Sequence, residues 1–146
     1  MAGLDELLDV REYPGEGYRP LVDFGSWRVA VLNYIEELRA DNLRAMQRHD
    51  ETDEVFVLLR GRCILFLGEG QDAVTAVHAR NMEPFKIYTV KKAAWHTHTL
   101  TEDAMVLIVE NRDTDVHNSP CCPLTGEQSR DIVRFTRGLW PETGWD

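Results

Sequence analysis

The chain has 146 residues, 43% of them hydrophobic, a length and apolar content that fit one domain with a real core. Its 25 Asp and Glu outnumber 16 Lys and Arg, giving a formal charge of -9 that argues against nucleic acid and anionic membrane, partners that select a basic footprint. The acidic N-terminus lacks the charge of a signal peptide, no apolar run is long enough to span a bilayer, and the three cysteines include no C-x-x-C pair, so a cytoplasmic protein without a disulfide framework is expected.

Residues 1–25 read as an N-terminal arm, with a helical turn or two over residues 3–9 and then the breaker cluster Tyr13-Pro14-Gly15-Glu16-Gly17. Residues 26–111 carry strand signals. Ser26 to Tyr34 is rich in β-branched and aromatic residues and predicts a strand, residues 34–44 a connector, and Leu43 to His49 a second strand. Period-2 alternation places Leu43, Ala45, Gln47 and His49 on one face of it. Val55 to Leu59 and Arg62 to Leu67 flank Arg60-Gly61, which predicts a hairpin closed by a glycine turn, with Cys63 in the core. Ala73 to Arg80, Phe85 to Val90, Ala94 to Leu100 and Met105 to Glu110 complete about eight strands at the spacing of an all-β sandwich or barrel.

Residues 112–146 form a C-terminal loop, helix and tail. Vicinal Cys121-Cys122 before Pro123 reads as loop, since adjacent cysteines bond each other only with strain. Thr125 and Gln128 have the spacing of a capping box, and Ile132, Val133, Phe135 and Leu139 give the helix an apolar face to pack outside the strands. Trp140, Pro141 and Trp145 are expected to cover a partner subunit or fold back over the sheet.

The chemistry gathers around Gln47 to Gly61. Glu54 shares its face with Phe56 and Leu58, so an inward Phe56 and Leu58 send the carboxylate inward too. His96 and His98, two residues apart, point to one face of their strand. Two imidazoles and a carboxylate converging in a pocket suit Fe, Mn, Zn or Ni with positions left open for a ligand. His78 and His117 read as hydrogen-bonded structural residues, Asp50, Glu51, Asp53, Glu102 and Asp103 as a solvated rim, and Trp27, Trp95, Tyr34 and Phe56 as core or pocket wall.

The stretch resembles the cupins, small β-barrels of the double-stranded β-helix (jelly-roll) type. Their first motif carries H-x-H, a glutamate after three or four residues and a glycine after six more; Gln47-Arg48-His49, Glu54 and Gly61 fall at those spacings. Their second motif sets proline and glycine five and three residues before a histidine, where this chain has Lys91 and Ala93 ahead of His96, which predicts a differently shaped loop. The resemblance implies a single cupin domain over residues 1–146, with His49, Glu54 and His96 as ligands of a divalent metal and Gln47, a weaker ligand, in place of the first histidine. His98 stands below Gln47 as a ligand because it lies about 7 Å further along its strand; His98 and Lys91 are the candidates for acid or base. Three functions follow as expectations: a metal-dependent enzyme of isomerase, lyase or dioxygenase type acting on a small polar metabolite, a metal-free ligand-binding or sensor module, and a structural homodimer scaffold.

Overall fold

A computed structural model of the protein describes residues 1–143, so Trp145 lies outside the described residues. After a short helix, α1 (Leu4–Leu7), come β1 (Gly17–Phe24), β2 (Trp27–Asn33), β3 (Ala45–Gln47), β4 (Glu54–Arg60) and β5 (Cys63–Glu69). They are followed by β6 (Ala76–Asn81), β7 (Ile87–Val90), β8 (Trp95–Leu100), β9 (Met105–Asn111), β10 (Cys121–Pro123) and the helix α2 (Gly126–Leu139). The connector after β2 holds two 3-10 turns, Glu36–Leu38 and Ala40–Asn42.

The strands form two antiparallel five-stranded sheets, ordered β1-β2-β9-β4-β7 and β10-β3-β8-β5-β6. The structure is therefore mostly β, as expected, but among the described residues the two sheets are separate ladders and do not close into one barrel. Among the described residues no helix is long and apolar enough to cross a membrane.

Three local expectations change. Residues 17–24 are no arm: they pair along β2 as an edge strand, with a register shift between Pro20 and Val22 that accommodates a residue lacking an N–H. Cys121 to Pro123 is likewise a strand, pairing with β3 from Gln47 to Ala45. The predicted β4–β5 hairpin is absent. β4 pairs with β7 and β9, β5 with β6 and β8, so the turn at Gly61 carries the chain from one sheet to the other. Gly61 has φ 68, and a Cβ there would sit 2.5 Å from the Ala104 Cα, so both backbone conformation and close approach require glycine.

The sheets enclose a core of Ala30, Leu32, Phe56, Leu58, Cys63, Leu65, Leu100, Val106 and Ile108. A second core lies behind the second sheet, where Ile132 of α2 packs with Ile64, Phe66, Trp95 and Met46. The capping box forms as predicted: the Gln128 N–H donates to Thr125 Oγ1, and the Thr125 N–H donates to Gln128 Oε1. Trp140 folds back and is buried, its indole N–H donating to Asn81 Oδ1 at 3.0 Å. Trp27, expected as core or pocket wall, is 42% exposed because it begins β2 beside the exposed Phe24.

Candidate functional site

His49 follows the end of β3, where the chain still lies along the segment before β10: the Arg48 N–H donates to the Pro120 carbonyl and the Asp50 N–H to the Asn118 carbonyl. Glu54 opens β4 and His96 is the second residue of β8. All three side chains are buried and converge, with ligand atoms within 4.8 Å of one another. His49 Nε2 lies 2.9 Å from Glu54 Oε2, and His96 Nε2 lies 3.4 Å from Glu54 Oε1.

The outer ring nitrogens determine what the inner ones present. His96 Nδ1 is 3.0 Å from the Ala94 carbonyl, which can only accept, so the proton is on Nδ1. His49 Nδ1 is 2.7 Å from Ser119 Oγ. The Asn118 amide is oriented by Nδ2 donating to Glu51 Oε2 and to the Asp113 carbonyl, so its Oδ1 accepts, both from the Asp115 N–H and from the Ser119 hydroxyl. With its hydroxyl proton so used, Ser119 Oγ accepts from His49 Nδ1. Both imidazoles therefore turn an Nε2 lone pair toward a carboxylate, and three acceptors facing one another require a cation, either a proton or a metal ion.

Electrostatics agree. Burial works against charge on Glu54, but hydrogen bonds from His49 and His96 outweigh it and hold its carboxyl well below the usual carboxylate range. Burial likewise opposes a charged His49, and Glu54 overrides it to raise that imidazole. Gln47 lines the same cavity with its Nε2 3.4 Å from the Ser119 carbonyl, and its Oε1 makes no hydrogen bond among the described residues.

His98 stands apart from this cluster. It lines the cavity beside Phe56, and burial, then the nearby His96, push its imidazole down to about 4. Lys91 is exposed in the turn before β8 and does not line the cavity. That turn keeps the left-handed backbone of a glycine position despite the sequence change: Ala93 has φ 64, and its N–H donates to the His49 carbonyl at 2.8 Å. The expected reshaping of the loop is not seen in its backbone hand.

Sequence reasoning passed over Glu110, Tyr18 and Arg28. Glu110 Oε1 accepts from the Tyr18 hydroxyl at 2.6 Å and from Arg28 Nη2 at 2.7 Å. Burial and the hydrogen-bonded Glu54 carboxylate push the Glu110 carboxyl up to about 7. Two neighbouring carboxyls resist a second negative charge, and the cost falls on Glu110 because both histidines favour the ionised Glu54. Glu110 Oε2 is buried and has no hydrogen-bond partner among the described residues. The signal was available: Val106, Ile108 and Glu110 share one face of β9 by simple alternation. Cys121 also lines the cavity, and all three cysteines are free.

These groups open on a cavity of about 640 Å³ with apolar walls including Leu32, Ile35 and Ile108, a size suited to a small molecule. No protein-family model matches the sequence, and no curated protein matches it. Solved structures do. A Klebsiella pneumoniae protein with a double-stranded β-helix domain is 14% identical with a TM-score of 0.52, covering 85% of this chain and 92% of its own. Pac13, a nucleoside dehydratase, is 11% identical with a TM-score of 0.52, covering 79% of this chain and 86% of its own; a Streptomyces Pac13 variant has been solved with uridine, at a TM-score of 0.53. A cupin-2 domain protein of Shewanella frigidimarina is 15% identical with a TM-score of 0.48, covering 74% of this chain and 88% of its own. The likeness is one of fold, to proteins of the double-stranded β-helix type.

Around the cavity the acidic rim is exposed as expected, and Asp53 Oδ1 accepts from the Lys92 N–H. His78 is exposed beside Glu69. His117 is hydrogen-bonded to Asp115, as expected of a structural residue, and stands with Glu51 and Asp113 in an exposed group.

Proposed function

We propose that the chain binds a divalent transition metal through His49, Glu54 and His96, with Gln47 as a weaker fourth ligand, and that the adjoining cavity holds a small polar metabolite on which the protein acts. The observation that carries this reading is the pair of Nδ1 hydrogen bonds, to Ser119 and to the Ala94 carbonyl, which aim both Nε2 lone pairs at Glu54. The nitrogen and oxygen donor set suits Fe, Mn, Zn or Ni, and such an ion supplies Lewis-acid polarisation of a ligand oxygen. Glu110 turns an unpartnered Oε2 to the interior beside this centre, and Tyr18 and Arg28 fix its other oxygen. A positioned carboxyl with a near-neutral pKa supports acid–base chemistry of the isomerase or lyase kind.

Untagged protein purified without chelator is expected to carry about one metal ion per chain, and His49→Ala to lose it. Wild-type protein that takes up no metal, even after anaerobic loading, removes the reading. A metal-free ligand-binding module is the second reading, favoured by the 2.9 Å His49–Glu54 contact, short enough for a direct hydrogen bond, and by Gln47. Thermal shift separates the two: divalent ions raise the melting temperature in the first case, and only organic ligands do in the second.

A further inference from the structure

The cavity's one arginine is spent on the protein. Among the described residues lining it, Arg28 is the single Lys or Arg, against the acids Glu37, Glu54, Glu110 and Asp115. Four of the five Arg28 N–H donors go to Glu110 Oε1, twice, and to the carbonyls of Arg112 and Thr114. With this arginine's donors engaged and four acids around it, the protein lining offers no free cationic N–H to repay the desolvation of a carboxylate or phosphate.

His98 is the group left without a partner. Its Nδ1 is sealed from solvent and hydrogen-bonded to nothing, and an orphaned N–H is the costlier occupant of such a place than an orphaned lone pair. The ring proton therefore sits on Nε2. That atom forms no hydrogen bond among the described residues, and His98 is half-buried and lines the cavity. An uncharged N–H donor on a wall otherwise acidic selects a ligand oxygen that accepts without bringing negative charge.

We propose that the cavity takes a neutral, hydroxyl- or carbonyl-bearing small molecule, held by a hydrogen bond from His98 Nε2, and discriminates against its carboxylate and phosphate counterparts. This rests on the cavity being a small-molecule site, as in the function proposed above, and not on the metal.

The test titrates full-length protein carrying 15N-labelled histidine with matched sets: ribose, ribonate and ribose 5-phosphate, and glycerol, glycerate and glycerol 3-phosphate. A neutral member of a set is expected to shift the His98 Nε2 resonance and to bind about tenfold or more tightly than its anions. His98→Gln, which keeps a donor, retains most of that binding, and His98→Phe loses about tenfold. Anions that bind as tightly as their neutral partners, or no response of His98 to any neutral probe up to its solubility, overturn the proposal. If His98→Phe does not fold, the charge preference of the wild-type protein decides. Elemental analysis of the same samples keeps the failures apart: metal-free protein that still prefers neutral probes fails only the metal reading, and metal-loaded protein that prefers anions fails only this one.

Discussion

Three strands cross the interior from a polar end to an apolar one, each changing character along a single face. β4 passes from Glu54 to Phe56 to Leu58, β9 from Glu110 to Ile108 to Val106, and β8 from His96 through His98 to Leu100. At the apolar end every group is satisfied by burial alone, and the largest fully buried side chains include Phe56, Leu58 and Val106. At the polar end stand two buried neighbouring carboxyls, unpartnered atoms on Glu110 and His98, and the left-handed Ala93. One backbone pattern thus supports two thermodynamic regimes: the apolar end stabilises the sheets, and the polar end keeps groups at free-energy cost, as sites do.

The largest effect should come from the apolar end. Phe56→Ala is expected to lower unfolding stability by about 3–5 kcal/mol in urea denaturation, because a fully buried aromatic leaves a cavity that tight packing cannot close. Phe56 also edges the rings of His96 and His98, so the same variant loosens the site. A loss below about 1 kcal/mol would mean that the division between the two ends is drawn in the wrong place.

Next comes the carboxyl pair. In the fold Glu110 keeps its proton up to about 7, whereas an ordinary glutamate loses it near 4.5, so between those values the native state binds more protons than the unfolded one. Its contribution is full below 4.5 and lost as pH rises through about 7. The raised His49 acts in the same direction, full below 6.5 and lost above its folded value, whereas the lowered Glu54 matters only below 4.5. The lowered His98 works the other way between about 4 and 6.5, where the unfolded chain binds its proton and the fold does not, so metal-free protein should lose stability from about pH 6.5 to pH 8. Glu110→Gln, whose amide can still donate to Glu54, should flatten that slope and gain on the order of 2 kcal/mol at the alkaline end. Parallel slopes for the two proteins would contradict a raised Glu110 carboxyl.

How far the sequence showed this division depends on which signal each residue carried. His49, Glu54 and His96 were legible because alternation fixes direction within a strand and the resemblance fixed the spacing between strands. Glu110 obeyed the same alternation but sat at a strand end among unremarkable valines, and its meaning depends on Glu54 across the sheet. Tyr18 was hidden because Pro14, Gly15, Gly17 and Pro20 read as loop, and only pairing with β2 makes residues 17–24 a strand. The turn at Gly61 misled for a related reason. Local chemistry reveals that a chain turns, and long-range register decides whether it returns to the same sheet.

The smallest effect tests whether the polar end stores strain in its backbone. Ala93 is exposed at φ 64, at the position where the motif the sequence resembles has glycine, and its N–H holds the His49 carbonyl. Left-handed backbone costs a residue with a Cβ roughly 1–2 kcal/mol, and glycine returns about 0.4–1 kcal/mol of that through the greater freedom of the unfolded chain. Ala93→Gly should thus stabilise the protein by about 0.5–1 kcal/mol without emptying any packed space. Measured in denaturant against the wild type, a loss instead of a gain would show that the turn is relaxed and that the cost of the polar end lies wholly in its buried carboxyls and histidines.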